Sequence, residues 1–488
     1  MQEIIATING YVWSNALIYL CLGAGLFFSI LTRFVQVRLF REMIRLLFSS
    51  KESDRGISSF QALAVSLSGR VGTGNIAGVA AAIGFGGPGA VFWMWVVAFL
   101  GASTAYIESA LGQIYKEVDE GQYRGGPAYY IEKAMGQKWY AWIFAIATII
   151  AVGVLLPGVQ SNSIGNAAEL AIGGETTVNF FGDTISMTKM VTAVVVVAIL
   201  GFIIFGGVKR IAHVTQIIVP FMALGYIVMA LGIIAYHISD LPEIFTLIVT
   251  DAFTPMAGVG AAIGWGVKRG VYSNEAGQGT GPHAAAASEV QHPAQQGLVQ
   301  AFSVYVDTLF VCSATAFMIL ITNKYYVSGL ENAISGGTLN GDVIISSPAF
   351  TQLALESVMG GFGKTFVAIA LFFFAFTTLL AYYYIAETNV AYIRRTFRFP
   401  YELTILKIVL MGSVFYGTIR SADLAWAMGD IGVGLMAWLN IVGILILFFM
   451  GSPAMRALRD YEAQRNAGVT EYTFDPKQLG IKNAKFWE

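Results

Sequence analysis

The chain has 488 residues, of which 56% are hydrophobic and only 12% are Asp, Glu, Lys or Arg, against about 25% charged in soluble domains. A net charge of −1 and a mean hydropathy of +0.65 exclude an ordinary soluble globule and leave no basic footprint for nucleic acid. The two cysteines, Cys21 and Cys312, both fall in apolar stretches and read as reduced core residues, which excludes a disulfide framework.

Eleven apolar segments are long enough to cross a hydrocarbon core of ~30 Å at ~1.5 Å per residue. They occupy 11–35, 58–84, 88–117, 139–165, 187–208, 211–237, 254–274, 296–322, 361–392, 403–420 and 426–450. The alternation of barrel strands is absent, so the chain is expected to be an all-α polytopic membrane protein. Residues 1–450 read as one transmembrane domain, and 451–488 as a short polar tail too small to fold alone. No charged region precedes the first span, so it is not read as a cleaved leader. With the N-terminus outside, 23 of the 29 Lys and Arg are counted on the inner side, in the tail, in the loops after segments 1, 3, 5, 7 and 9 and, for Arg33, Lys116, Lys268 and Arg269, toward the ends of the segments that lead into those loops. That asymmetry predicts a plasma (inner) membrane protein with its N-terminus outside and its C-terminus cytoplasmic. The basic run Arg394-Arg395-Thr396-Phe397-Arg398 fits the same bias as an anchor.

Segment 2 carries Ser68-Gly69-Arg70-Val71-Gly72-Thr73-Gly74-Asn75 in its middle. Glycines there loosen a helix where no water can serve the freed N–H and C=O groups, which is tolerated only in backbone that lines a cavity or is buried in protein. Broken helices of this kind build the sites of secondary transporters. Arg70, beside this break, and Glu108, in segment 3, are the charges noted at membrane depth. They read either as a buried ion pair or, for Arg70, as a cap on broken-helix carbonyls or a ligand for a carboxylate. In segment 4, Gln160 within Pro157-Gly158-Val159-Gln160-Ser161-Asn162-Ser163 is either interhelical glue or a substrate contact.

Segment 7 is the second irregular span, with Pro255, Gly258, Gly260, Gly264, Gly266 and Gly270. Glycine-interrupted spans five segments apart predict a five-plus-five inverted repeat over helices 2–11, with helix 1 as an extra N-terminal helix and helices 2 and 7 broken. The long loop between segments 8 and 9 contains Pro348 to Met359, predicted to form a lid helix. Segment 9 carries Thr377-Thr378; two hydroxyls opposite unwound carbonyls make an all-oxygen cage that suits a monovalent cation such as Na+. The four histidines, at 213, 237, 283 and 292, show no metal-ligand spacing, and no nucleophile–base order or Walker motif can be assembled, so an enzyme or a channel is the least favoured class.

The runs Gly72-Thr73-Gly74-Asn75-Ile76-Ala77-Gly78-Val79, Gly86-Gly87-Pro88-Gly89-Ala90-Val91-Phe92-Trp93-Met94-Trp95 and Gly270-Val271-Tyr272-Ser273-Asn274-Glu275-Ala276-Gly277 resemble the sodium:alanine symporter family of amino acid–cation symporters. The resemblance covers about residues 10 to 450. It implies a leucine-transporter-type fold and sodium-coupled uptake of small neutral amino acids, alanine and glycine foremost. The alternative it leaves is a carrier of the same fold for glutamine or another neutral amino acid, or one coupled to protons. By the same resemblance, Thr73, Gly74, Asn75 and Gln160 would hold the substrate, and Ser68, Val71, Phe374, Thr377 and Thr378 the sodium ion. Val259, Ile263 and Val267 share one helix face and would wall the side-chain pocket. Where the family usually shows Gly-Trp after the threonine pair, this chain has Ala381-Tyr382, a change that bears on the preferred amino acid.

Overall fold

The computed structural model describes residues 2–48, 56–180, 183–253, 259–329, 337–339 and 341–488. Helices α1 (Gln2–Val12) and α2 (Asn15–Leu31) lead into short α3 (Val35–Arg38) and α4 (Phe40–Leu46). α5 (Ser59–Arg70) begins at a capping box, in which Gln61 N donates to Ser58 Oγ at 3.1 Å and Ser58 N to Gln61 Oε1 at 2.9 Å. It stops at Val71, and a π turn over Gly74–Gly78 then runs into α6 (Val79–Gly86). After α7 (Ala90–Ile114) come the hairpin β1 (Glu117–Asp119) and β2 (Gln122–Arg124), then α8 (Pro127–Met135) and α9 (Lys138–Ile150). A second π turn, Ala151–Leu155, joins α9 to α10 (Leu156–Ile172), and the hairpin β3 (Thr177–Phe180) and β4 (Asp183–Ser186) leads to α11 (Met187–Ile204) and α12 (Gly207–Tyr236).

The second half holds α13 (Leu241–Asp251), α14 (Val259–Asn274), α15 (Gly281–Ala287) and α16 (Pro293–Val304). A third π turn, Tyr305–Cys312, continues into α17 (Ser313–Ile321). The remainder is α18 (Ala349–Met359), α19 (Gly363–Arg394), α20 (Glu402–Ile419), α21 (Ala422–Phe449) and α22 (Pro453–Asn466). α18 matches the helix expected in the loop before segment 9, and Gln352 Nε2 ties it to Ala167 O at 2.9 Å and Lys364 O at 3.2 Å.

Among the described residues, nine helices are long and apolar enough to cross a membrane: Glu3–Leu31, Ala90–Ile114, Lys138–Ile172, Met187–Ile204, Lys209–Tyr236, Pro293–Ile321, Gly363–Arg394, Glu402–Ile419 and Ala422–Phe449. Of the predicted segments outside these nine, 58–84 is built from α5, the first π turn and α6, and 254–274 holds the single, shorter helix α14. On α12, Ile217, Phe221, Leu224, Val228 and Leu231 are exposed while Val219, Met222, Tyr226, Ala230 and Ile233 are buried. An apolar stripe facing outward at helical spacing is the pattern of a helix solvated by lipid.

The broken pieces sit inside this shell. α7 packs on α2, α14, α15 and α16, and α10 packs on α11, α19, α20 and α21. Between these two groups lie α5, which touches α12, α15, α16 and α19, and α14, which touches α6 and the first π turn. The seventh segment corrects one expectation. Its glycines at 260, 264, 266 and 270 do not interrupt the helix, because α14 runs unbroken to Asn274 and the irregular backbone comes after it, at 275–280. Two of them serve close packing instead: a Cβ on Gly266 would lie 2.5 Å from Ala90 O, and one on Gly270 would lie 2.4 Å from Val97 Cγ1. Pro255 and Gly258 lie outside the described residues.

The C-terminal tail does not hang loose. Its helix α22 packs on α7 and α16. Glu462 pairs with Arg33 at 3.0 Å and Arg38 at 2.6 Å, His292 Nε2 meets Asp460 Oδ2 at 3.1 Å, and Tyr461 donates to Glu42. Farther on, Trp487 Nε1 donates to Gln113 O at 3.0 Å. Lys116 Nζ lies 4.4 Å from the ring centres of Tyr123 and Phe486, a cation–π geometry, and donates to Ser288 O at 2.9 Å. Trp487→Ala is therefore expected to lower stability by about 1–2 kcal/mol through the lost ring contacts and hydrogen bond. Cys21 and Cys312 are both buried, so a thiol-reactive dye followed during heating reads the change; an unmoved unfolding temperature would mean the tail is not docked.

Candidate functional site

At the first break the helix ladder ends with Val71 N donating to Leu67 O at 2.7 Å. The amides beyond it have no helical carbonyl to reach, and in a buried site each needs another acceptor. Asn75 Oδ1 takes Gly72 N at 2.8 Å, and Gln160 Oε1, from α10, takes Thr73 N at 3.0 Å. The carboxamide of Gln160 also lies 3.4 Å from Tyr382 Oη and 3.5 Å from Tyr272 Oη. On the other side of the break, Thr378 Oγ1 donates to Ser68 O at 2.7 Å and lies 3.0 Å from Phe374 O. Gly72 sits between these groups, where a Cβ would lie 2.4 Å from Thr378 Oγ1 and 3.0 Å from Gln160 Oε1. Only glycine lets the backbone come this close.

Of the predicted cation ligands, Ser68, Phe374 and Thr378 thus converge on one spot through neutral oxygens, a donor set that fits a monovalent cation. Val71 is the residue at which the chain turns. Thr377 reaches the same Phe374 carbonyl at 3.0 Å and Phe373 O at 2.9 Å, with Met222 Sδ 3.8 Å away on α12. Of the predicted substrate residues, Thr73, Gly74, Asn75 and Gln160 come together at the break, all buried. Ile263 and Val267 pack into the apolar core, and the side chain of Val259 lies outside the described residues. The part of α14 that meets the break is its far end: a Cβ on Gly74 would lie 3.1 Å from Ser273 Cα and 3.2 Å from the Tyr272 ring. Tyr272 in turn packs on Trp426, with ring centres 4.9 Å apart. Sequence reasoning passed over Tyr272 and Ser273, although both stand inside the 270–277 run that carries the family resemblance.

The second break is served by one carboxylate. Glu108 Oε1 accepts from Gly277 N at 3.2 Å and Oε2 from Gly279 N at 3.1 Å, with Asn440 Nδ2 2.6 Å from Oε2. Glu275, Gly277 and Gly279 take φ values of 57°, 86° and 81°, so three residues within five positions leave the helical conformation. This overturns the reading of Glu108 as the ion-pair partner of Arg70. Arg70 instead donates through Nη1 to Gln300 O at 3.0 Å and to Ser303 Oγ. The carbonyl it meets belongs to α16, not to the broken helix.

More charge is buried than was expected. Lys268 and Arg269, counted from sequence on the cytoplasmic side, lie inside α14, where both meet Asp430 Oδ2 at 2.7 Å. Arg269 also stands 4.3 Å from the Trp426 ring centre. At the opposite ends of the broken helices, Ile57 N donates to Ala287 O at 3.0 Å and Glu289 N to Ile57 O at 2.9 Å, pinning the start of α5 to the end of α15. Gln296 Nε2 bridges Ser59 Oγ at 2.8 Å and Ser288 Oγ at 2.9 Å. One end of the broken pair is thus joined by backbone and amide bonds between α5 and α15, while toward the other end the ion cluster ties α14 to α21.

Glu108→Ala would strand the Gly277 and Gly279 amides in a site without water, at a cost of about 3 kcal/mol. Glu108→Gln keeps an acceptor and is expected to cost less. Thermal unfolding of the purified variants ranks them, and equal unfolding temperatures for Ala and Gln would remove Glu108 as the support of the second break.

Comparison with known proteins adds an independent line. A family model described as the sodium:alanine symporter family matches residues 1–476. YrbD of Bacillus subtilis (strain 168), which carries the provisional name of a sodium/proton-dependent alanine carrier protein, is 56% identical over 100% of this chain and 98% of its own. The sodium/proton-dependent alanine carrier protein of Bacillus sp. (strain PS3) is 49% identical over 91% of this chain and 97% of its own. GlnT of Bacillus subtilis (strain 168), provisionally named a sodium/glutamine symporter, is 38% identical over 96% of this chain and 92% of its own.

Proposed function

Because this chain belongs to the sodium:alanine symporter family, we propose that it is a secondary active transporter that brings alanine and glycine into the cell together with Na+, and not an enzyme. The observation that carries this reading is the Gln160 carboxamide oxygen on the Thr73 amide, 3.0 Å away. A carboxamide oxygen there occupies the place of a carboxylate oxygen, so a zwitterionic amino acid would take over the amides at the break and release Gln160. The N-terminal end of the π turn and α6 favours that negative charge. In this reading Thr73, Gly74, Asn75 and Gln160 contact substrate, Tyr272 and Tyr382 bound its side chain, and the phenol of Tyr382, in place of the family's usual Trp, keeps the pocket small and polar.

Sodium, as the co-transported ion, would take the carbonyls of Ser68, Val71 and Phe374 and the hydroxyls of Thr377 and Thr378. Its arrival replaces the Thr378 hydrogen bond to Ser68 O and ties α5 to α19, so the ion favours whichever conformation brings these helices together. Coupling is then reciprocal, with sodium and substrate tightening each other by the same factor. The architecture that goes with this is eleven transmembrane helices, the broken pairs α5/α6 and α14/α15 standing as equivalent members of a five-plus-five inverted repeat, in a domain of residues 1–450 with 451–488 docked on it. With the N-terminus outside, the Ile57–Ala287 clasp is the cytoplasmic gate, the Asp430 cluster is the outer one, and α18 is a lid on the outer side.

Uptake of labelled alanine into proteoliposomes under an inward sodium gradient tests the proposal, with glycine and glutamine as competitors. Accumulation that needs sodium and is competed by glycine supports it; competition by glutamine alone would favour the sodium/glutamine reading. Thr378→Val is expected to raise the sodium concentration for half-maximal uptake at least tenfold, and unchanged sodium dependence would remove this ion site. Asn75→Ala leaves the Gly72 amide without its acceptor and is expected to weaken alanine about tenfold or more, in line with about 1–3 kcal/mol for a stranded buried donor.

A further inference from the structure

Asp307 has no role in the transport scheme above, yet it is wholly buried at membrane depth, on the π turn Tyr305–Cys312. π turns inside helices concentrate at functional positions. Its Oδ1 accepts from Asn75 Nδ2 at 2.7 Å and from Ser273 Oγ at 3.0 Å, and its Oδ2 accepts from Thr308 Oγ1 at 2.7 Å. All of these partners are neutral. The charged and titratable groups around it are Arg70 on α5, Glu275 after α14 and Cys312 on the same turn, with Glu108 on α7 behind Arg70 and the Tyr226 phenol on α12 beyond Cys312. Arg70 spends its Nη1 on Gln300 and Ser303, and its Nε and Nη2 have no hydrogen-bond partner among the described residues. An ionised carboxylate whose hydrogen-bond partners are all neutral is costly in a membrane; Arg70 offsets part of that cost through space, and taking up a cation relieves the rest.

The donors around Asp307 select which cation. Asn75 Oδ1 accepts from Gly72 N at 2.8 Å, so the amide cannot be turned round, and it is the nitrogen that faces Asp307. An N–H group pointing at the carboxylate is not a metal ligand. Thr308, by contrast, can reverse: with a proton on Asp307 Oδ2, its hydroxyl oxygen accepts and its own hydrogen turns away. The neutral acid then draws less on Asn75 Nδ2, and Asn75 is the residue that holds the Gly72 amide. One side chain thus stands between a titratable group and the broken backbone.

Resting on the carrier reading, we propose that Asp307 is the proton site of this transporter, taking one H+ onto Oδ2 from the outer side when the break is formed and returning it to the cytoplasm when the break rearranges, alongside sodium at Thr378. No covalent bond other than the O–H is made or broken.

The test uses the full chain in proteoliposomes loaded with a pH-sensitive dye, under an inward sodium gradient with the membrane potential clamped. Wild type should acidify the interior when alanine is added, and its KM for alanine should rise about tenfold per pH unit above the midpoint of its titration. D307N should lose the acidification and the pH dependence of KM while whatever uptake remains still needs sodium. D307E should retain acidification with a shifted midpoint, and it decides the matter if D307N is inactive. Wild-type uptake without acidification, acidification kept by D307N, or an unmoved midpoint in D307E would each overturn the proposal. So would a fall in the sodium Hill coefficient of D307N with no wild-type proton movement, which would give the site to a second sodium ion. Absence of any sodium-driven alanine uptake by wild type would instead sink the carrier reading itself.

Discussion

A backbone amide released from a helix at membrane depth must find a partner within the protein, and that single requirement organises this molecule. Two helices are interrupted, at 71–73 and at 275–280. Each interruption recruits side chains from elsewhere: Asn75 and Gln160 for the first, Glu108 and Asn440 for the second. Glu108, Gln160, Thr378 and Asn440, which would otherwise be liabilities inside an apolar bundle, each bond to the broken backbone. The proposed site rests on the same requirement, since acceptors that can let go of an amide would leave behind a place for a ligand that accepts in their stead.

The two breaks are not held alike. Glu108 grips the second through two amides at once and has no competing role, so that turn is a fixed support. The first break is held by single bonds from neutral groups that have other partners within reach, which makes exchange cheap. The ends of the broken helices differ as well. The ion cluster of Lys268, Arg269 and Asp430 is tight but depends on charge, whereas the Ile57–Ala287 bridge is backbone and indifferent to it. Opening at one end or the other therefore breaks chemically different contacts, as a carrier with two alternating faces needs.

Much of this was legible in the sequence, and the misses have a common cause. The first break announced itself because six glycine or small polar residues between Ser68 and Asn75 interrupted an otherwise apolar span, and the grouping of Thr378 with Ser68 and Phe374 was implied by the family resemblance. The helix at 349–359 was also foreseen. The second break was misplaced because glycine density signals either unwinding or close packing, and on α14 it signals packing against α7. The Arg70–Glu108 pairing failed because equal depth in the membrane says nothing about which way a side chain faces around its helix. Asp307 escaped because one carboxylate in an apolar span meets its partners only in the fold, and Tyr272 and Ser273 because the run that holds them does not say which of its side chains face the first break.

Arg70 holds a consequence for how the chain is made. The groups that satisfy it, on Gln300 and Ser303, are encoded 230 and 233 residues later. At a synthesis rate of about 5–20 residues per second, its helix waits roughly 10–50 s before they emerge. Through that interval an arginine destined for the bundle centre has neither of them, so α5 must stay near the interface or within the insertion machinery until the second half of the protein arrives. A helix that comes late to its place during biogenesis is also the one whose final position rests on a few late-formed contacts, and in this molecule it is the helix that carries the break.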